Sequence, residues 1–247
     1  MKFRALGLAA VAASALLLTA CASAAASTDT ASGGNSNAPD GLVTPGAATA
    51  CIDPEYAPLE YYENGSDGEI TGFDADAVRA LADHWGVEAK FEVTSFDGLM
   101  PGLQSSRCDF IFGGLYMSEE RLQVADAAPI MNAGPAALAA PELAAKLSEP
   151  EDLCGLRIAT QAASSNSASV AALSEQCVAM YAAATQNEGK LEVAGVFEPD
   201  TTFGVFTRKD DKLSPAVAEA LEALYEDGTW AKIAAEYNFG ADILDVY

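Results

Sequence analysis

The chain has 247 residues, half of them apolar, and a formal net charge of −23. This composition indicates a globular protein, and its acidity argues against nucleic acid or anionic lipid as a partner, because no basic patch is available. With one histidine, His84, and no Cys-x-x-Cys spacing, we expect no metal site and no cofactor.

The first 21 residues are typical of an export signal. Lys2 and Arg4 precede a 14-residue apolar run that is too short to span a bilayer with comfort. The order Leu-Thr-Ala-Cys that follows resembles the bacterial lipobox, whose cysteine, here Cys21, is diacylated and becomes the first residue of the exported chain. We predict a lipoprotein signal peptide at residues 1–20 and anchoring to the outer face of the cell membrane, or a periplasmic location. The alternative is an ordinary secretory signal cut nearby.

The segment after Cys21 is predicted to be a tether. Residues 22–50 are dominated by Ala, Ser, Thr, Gly, Asn and Pro, a composition that cannot bury enough surface to fold. We place a flexible tether at residues 21–47, with a reach of about 30 Å for the whole flexible segment. Without residues 1–20 the chain keeps 11 basic and 36 acidic residues, a net charge of −25. We attribute this charge to surface solubility rather than to attraction of a cationic ligand.

Four cysteines remain once Cys21 carries lipid, and outside the cytoplasm four cysteines suggest two disulfides. Cys154 and Cys177 would close a 24-residue segment, a bond that stabilises by about 3 kcal/mol. Cys51 and Cys108 fall in predicted neighbouring strands. Their pairing depends on whether the two residues reach the same height along those strands.

Strand and helix patterns alternate through residues 48–113. The clearest helix carries Val78, Leu81 and Trp85 on one face and ends at Gly86. We interpret His84 beside that face as an ordinary helix residue rather than a ligand. The alternation predicts an α/β fold with a parallel sheet, in which ligand-binding loops gather at the carboxyl ends of the strands. The predicted elements are strands at 48–52, 87–93 and 109–113, an apolar stretch at 70–73, and helices at 74–85 and 97–105.

Two further helices are predicted near the C-terminus. Ser214 is a capping residue, Pro215 suits the first helical position, and the helix runs up to Gly228. Thr229 caps the second helix, which carries Trp230 on its inward face.

Several short motifs follow one another along the chain: Tyr-Ala-Pro-Leu-Glu-Tyr at 56–61, Gly-Phe-Asp-Ala-Asp at 72–76, Ser-Phe-Asp-Gly-Leu-Met-Pro-Gly-Leu at 95–103, Cys-Asp at 108–109 and Ser-Glu-Glu-Arg at 118–121. Their order resembles that of family 3 extracellular solute-binding proteins, which feed polar amino acids to ABC importers. Each motif alone is weakly specific, whereas the ordered set is strong. The resemblance implies a two-lobed, periplasmic-binding-protein-like fold of type II, with parallel-rich sheets, flanking helices and a hinge of two crossings. The implied first lobe comprises residues 48–134 and 207–247, and the second comprises residues 135–206.

The same resemblance implies a ligand site. Arg121 is similar to the family's arginine that grips the ligand's α-carboxylate, a task that suits a forked guanidinium. Tyr56 and Phe96 are similar to aromatic residues that sandwich the ligand side chain, and Asp53 to an acid that contacts amino or cationic groups. The residues alone leave surface or core roles open for each of them. The other implied site residues are Gly113, Gly114 and Tyr116, which replace small hydroxyl residues, and Ser164, Ser165 and Asn166 at a strand-to-helix turn.

The second lobe departs from the family pattern. After Cys177 the chain passes through two residues into Met-Tyr-Ala-Ala at 180–183, which is similar to the helix that follows the family's Gly-Arg-x-Asp-Ala strand. We therefore expect a shortened lobe that lacks about one βαβ unit of ~30 residues. The missing unit would include the family's acid for the α-ammonium group, and we find no substitute for it in the sequence.

The resemblance implies a monomeric binding protein that delivers a polar amino acid, or a similar small amine or carboxylate, to an ABC permease. A sensory or degenerate binding protein is one alternative, for which the shortened lobe is the evidence. An enzyme on the same scaffold is the weakest, because the sequence contains no Ser-His-Asp set, zinc set or phosphate loop, and no catalytic residue is assigned.

Overall fold

The computed structural model describes residues 37–134, 136–148, 152, 164, 192–196 and 202–246. Several predicted features lie outside these residues. They are the signal peptide with Cys21, most of the tether, the Cys154–Cys177 pair, the site residues Ser165 and Asn166, and most of the second lobe.

The described strands are β1 Ala47–Ile52, β2 Glu55–Tyr56, β3 Glu60–Tyr62, β4 Ile70–Thr71, β5 Glu88–Val93, β6 Phe110–Tyr116, β7 Ala125–Asn132, β8 Ala136–Ala139, β9 Glu192–Val196 and β10 Thr202–Arg208. The described helices are α1 Phe73–Trp85, α2 Leu99–Gln104, α3 Glu119–Val124, α4 Pro141–Ala144, α5 Leu213–Glu226 and α6 Thr229–Glu236. Short 3-10 turns cover Phe96–Gly98 and Ala241–Leu244.

The main sheet has five strands in the order β5-β1-β6-β10-β7. The strands β1, β5 and β6 run parallel, as the alternating pattern predicts. Strand β10 runs antiparallel to both of its neighbours, β6 and β7. The sheet is therefore mixed, and a strand from late in the chain lies between two strands from its first half.

Burial along the strands follows their place in the sheet. Every residue of the central strand β6 is buried, because helices cover both faces of the sheet there. The edge strand β5 exposes Glu88 and Val93, and its charged side chains blunt the open edge.

Two apolar clusters hold the sheet between layers of helices. On one face, α1, α5 and α6 contribute a cluster that includes Phe73, Leu81, Leu221 and Trp230. The rings of Phe73 and Trp230 lie 6.0 Å apart between centroids. On the other face, α2 packs through Leu99 and Leu103. Since each fully buried large side chain contributes roughly 1.5–3 kcal/mol, these two layers hold most of the apolar driving force of the described fold.

Helix α1 forms as the sequence predicts. Its apolar face is buried, and Gly86 takes the left-handed conformation, with φ of 68°, from which its N–H donates to the last turn of the helix. Its start is fixed by Gly72, where a Cβ atom would clash with the carbonyl oxygen of Leu59. Glycine is required there because the backbone of residue 59 passes so close to it.

Three predicted helix starts differ from the structure. Thr229, predicted as a cap, is the first residue of α6, and Gly228 holds the cap position. The helix expected at 97–105 is a 3-10 turn, Phe96–Gly98, followed by α2. Helix α5 begins at Leu213, so Ser214 lies inside its first turn rather than at the cap. The Oγ atom of Ser214 instead donates to the carboxylate of Asp126, 3.0 Å away on β7.

The structure contains a disulfide between Cys51 and Cys108, whose Cα atoms are 5.5 Å apart. Cys51 lies in β1, and Cys108 lies two residues before β6, the strand that pairs with β1. Both side chains are fully buried in the cluster that faces α2.

Smaller sheets complete the described part of the chain. Strands β2, β3 and β4 form an antiparallel sheet beside the start of α1, and β8 pairs antiparallel with β9. Among the described helices, none is long and apolar enough to cross a membrane.

Candidate ligand-binding site

A cavity of about 260 Å³ opens near the carboxyl end of β6. Three of the predicted site residues line it together: Phe96 from the turn before α2, Arg121 from α3, and Ser164. These side chains come from three separate places in the sequence, so the fold has brought together an aromatic ring, a cation and a hydroxyl. The full set of described lining residues is Phe96, Asp97, Met100, Leu115, Ser118, Glu120, Arg121, Val124 and Ser164.

Arg121 is held in place by its own loop. Its Nη1 donates to the carbonyl oxygen of Tyr116 at 3.1 Å, and its guanidinium carbon lies 5.9 Å from the ring centroid of Phe96. Its backbone N–H donates to Oγ of Ser118, which caps α3. A planar guanidinium fixed against an aromatic ring is pre-organised to pair with a carboxylate through two parallel hydrogen bonds.

Asp53 lies just beyond β1 and is half-buried. Burial raises the pKa of its carboxyl, and the nearby charges of Glu55 and Asp97 raise it further, while the backbone N–H of Phe96 donates to it and opposes that rise. Asp53 therefore links the end of β1 to the turn that carries Phe96. It is not among the described residues that line the cavity.

The remaining first-lobe predictions, Tyr56, Gly113, Gly114 and Tyr116, lie behind the cavity wall. Tyr56 is buried with its ring against Gly114, where an added Cβ would lie 2.5 Å from Cε1 of Tyr56. Gly114 has φ of +57°, a left-handed conformation, and directly precedes the lining residue Leu115. Tyr116 is buried and packs on Phe203 of β10, with ring centroids 4.6 Å apart.

Among the second-lobe predictions, Ser164 is the one that the structure describes. It is 4 % exposed and lines the cavity with Arg121. Ser165 and Asn166 lie outside the described residues, so their predicted contact with the ligand stays a prediction.

Several lining residues were missed by sequence reasoning. Ser118 and Glu120 belong to the same short motif as Arg121, and Asp97 and Met100 follow Phe96, so proximity in sequence was the available signal. Val124 lies one helical turn after Arg121 and is 48 % exposed, which makes it an apolar side chain at the cavity rim.

A second group of residues that the sequence reasoning missed is fully buried. Glu60 and Asp74 are both 0 % exposed, and the backbone N–H of Gly114 donates to Oδ2 of Asp74 at 3.2 Å. These two acids do not belong to a metal site, since the described residues contain no group of three or more His, Cys, Asp or Glu placed to hold an ion.

Comparison with known proteins decides the family. Residues 48–241 match the profile of bacterial extracellular solute-binding proteins, family 3. The chain belongs to this family. It is 26% identical over 243 residues to the arginine-binding protein ArgT of Corynebacterium glutamicum, a match that covers 84% of this chain and 79% of ArgT. It is 27% identical over 216 residues to a probable amino-acid ABC transporter-binding protein of Haemophilus influenzae, covering 76% of this chain and 82% of that protein.

Solved structures agree on the fold of this family 3 protein. An ancestral arginine-binding protein bound to arginine superposes with a TM-score of 0.69 at 24% identity, covering 79% of this chain and 99% of the ancestral one. The arginine-, lysine-, histidine-binding protein ArtJ of Geobacillus stearothermophilus gives a TM-score of 0.67 at 22% identity, with 77% and 94% covered. The predicted two-lobed α/β fold class is thus confirmed. The exact division of this chain between the lobes stays a prediction.

Proposed function

We propose that this family 3 protein binds a polar amino acid, or a similar small amine or carboxylate, and delivers it to an ABC permease. The observation that carries the proposal is the shared cavity of Arg121, Phe96 and Ser164, in which a fixed guanidinium faces the space that a ligand would fill. A ligand carboxylate that leaves water needs such a partner, because burying a charge without a paired opposite charge is very costly.

The relatives support a transport role. The matched proteins of Corynebacterium glutamicum and Haemophilus influenzae carry names that describe arginine binding and amino-acid ABC transport. We infer that this chain works in the same setting as a monomer, exported and held at the outer face of the membrane through lipidated Cys21. Radiolabelled palmitate incorporated into the wild-type chain, and lost in Cys21→Ala, would support the anchor; equal labelling of both would contradict it.

The binding proposal is tested by measuring heat of binding. The chain from residue 21 onward, with Cys21→Ser to prevent lipidation, is titrated with each of the common amino acids and with small amines. We expect at least one to bind and to raise the melting temperature, because a ligand that binds only the folded state stabilises it in proportion to occupancy.

A variant pair then locates the site. Arg121→Met should weaken binding about 10- to 100-fold, since a hydrogen bond to a charged group contributes roughly 1.5–3 kcal/mol. Arg107→Met is the matched control, because Arg107 is an exposed arginine that pairs with Glu92 on the β5 edge, away from the described cavity lining. Equal affinity of the Arg121 variant and the wild type would place the carboxylate site elsewhere.

A sensory or degenerate role is the second candidate. The observation that favours it is the sequence after Cys177, where about one βαβ unit of the second lobe is expected to be missing. A chain that binds none of the tested compounds, yet unfolds cooperatively, would support this candidate over the importer role. An enzymatic role stays weaker. A precursor of cyclohexadienyl dehydratase shares the fold with a TM-score of 0.64, but at 24% identity this likeness carries the fold alone.

A further inference from the structure

The buried carboxyl groups of Glu60 and Asp74 are brought together by the local chain path. The N–H of Asp74 donates to the carbonyl oxygen of Leu59 at 2.8 Å, so the first turn of α1 lies directly against the start of β3. Both side chains are 0 % exposed. Two carboxyl groups thus share one apolar site between the small sheet, α1 and the middle of β6.

Hydrogen bonding within this pair requires a proton. Among the described residues, no donor reaches either carboxyl oxygen of Glu60 or Oδ1 of Asp74, while Oδ2 of Asp74 accepts from Gly114. Two ionised carboxylates are both acceptors, so neither could satisfy the other in this buried site. A proton on one carboxyl removes one of the two buried charges and supplies an O–H that can donate to the other.

The surroundings of the pair favour the neutral form of Glu60. Burial raises the pKa of Glu60 well above its usual range, and the negative charges of Asp74 and Asp53 raise it further. Burial raises the pKa of Asp74 to about 6, while the neighbouring Glu60 carboxyl and the hydrogen bond from the N–H of Gly114 oppose that rise. The other titratable side chain beside Gly114 is Tyr56, whose ring packs on it. These causes favour the proton on Glu60 and the negative charge on Asp74, whose Oδ2 accepts from Gly114.

The pair also touches the backbone that leads to the ligand cavity. Asp74 accepts from Gly114, which has a left-handed φ, and a Cβ atom added at Gly113 would lie 3.5 Å from Oε1 of Glu60. The next residue, Leu115, lines the cavity. We propose that Glu60 and Asp74 form a carboxyl pair that shares one proton and thereby positions Gly114 and the cavity-lining segment of β6. Glu60 and Asp74 act as positioning residues. The inference rests on the proposed function only where it gives the cavity-lining segment of β6 a role in ligand binding.

The sign of the pH dependence follows from the raised pKa values. Between the unfolded and the folded pKa the folded chain holds protons that the unfolded chain has released, so the pair favours folding most at acidic pH. That contribution is lost as the pH rises through the folded pKa values. The folded pKa of Asp74 is about 6, and that of Glu60 is well above the usual range of a glutamate. The high negative charge of the whole chain acts in the same direction, so a charge-matched control is needed.

The stability test compares melting temperatures of the wild type, Glu60→Gln and Glu222→Gln from about pH 4, near the usual carboxyl pKa, to about pH 9. The glutamine amide donates to Asp74 without a titrating proton, so Glu60→Gln should match the wild type near pH 4 and exceed its melting temperature by a growing margin as the pH rises. Glu222 is exposed on α5, so Glu222→Gln removes the same charge and should shift the melting temperature by only a small amount. Parallel curves for the wild type and Glu60→Gln would overturn the shared proton.

The positioning test follows the Gly114 amide resonance by NMR, with no ligand present. In the wild type its chemical shift should titrate with a midpoint near pH 6, because its acceptor changes charge there. The titration should vanish in Asp74→Asn and persist in Glu222→Gln. A Gly114 resonance that does not titrate in the wild type, or titrates unchanged in Asp74→Asn, would overturn the positioning role. Because neither test uses a ligand, failure to bind any amino acid would count against the proposed function and not against the pair.

Discussion

Removal of the Cys51–Cys108 disulfide should destabilise the protein substantially. The bond joins residues 57 apart in sequence, and closing a loop of that length removes enough entropy from the unfolded chain to stabilise the fold by about 4 kcal/mol. That is a large part of the roughly 5–15 kcal/mol by which domains are stable. For a chain of this size we expect the melting temperature of Cys51→Ala/Cys108→Ala to fall by roughly 8–16 °C.

Thermal unfolding followed by circular dichroism measures this change. The comparison uses the chain from residue 21 onward with Cys21→Ser, and the other two cysteines stay in place so that only one bond is removed. A free-thiol titration of the unfolded, unreduced protein should also leave Cys51 and Cys108 unlabelled. A melting temperature within about 2 °C of the parent would refute the loop-closure reasoning, since a loop of this length predicts several times that shift.

Two further substitutions test the packing behind the cavity and the contact between the C-terminal helix and α1. Gly114→Ala should lower the free energy of unfolding, measured by urea titration, by about 1–3 kcal/mol more than Gly65→Ala does. Both glycines have a positive φ, but of the two only Gly114 faces a nearby ring, that of Tyr56. Equal losses in the two variants would contradict the steric argument. Tyr237→Phe should cost about 1–2 kcal/mol in the same assay, because the hydroxyl donates to Asp76 at 2.6 Å and accepts from a backbone N–H; an unchanged urea midpoint would show that this bond is dispensable.

Prediction from the sequence succeeded where the signal was local. The apolar face of α1 is a periodic pattern within 13 consecutive residues, and the glycine that ends the helix follows it directly. The structure shows both. The parallel pairing of β1, β5 and β6 followed from the alternation of strands and helices. Boundaries were less accurate: α5 starts at Leu213, before the predicted cap Ser214, and the Ser214 hydroxyl bonds to Asp126, a residue 88 positions earlier in the chain.

The candidate site was predicted in part for the same reason. Arg121 and Phe96 stood out because each lies in a short motif, and the structure places both at one cavity with Ser164. The motifs did not separate side chains that face the cavity from those that pack behind its wall. Tyr56 and Tyr116 are aromatic residues close to the site in sequence, but both are buried in the core.

The family, the α/β alternation and the candidate cationic and aromatic residues could be read from the sequence, because these depend on short motifs and local periodicity. The tertiary structure decided what lies beside what. It inserted β10 between β6 and β7, joined Cys51 to Cys108, and buried both Glu60 and Asp74. Such arrangements arise from the packing of the whole fold, and that packing places two ordinary acids in a buried site that favours their protonated forms.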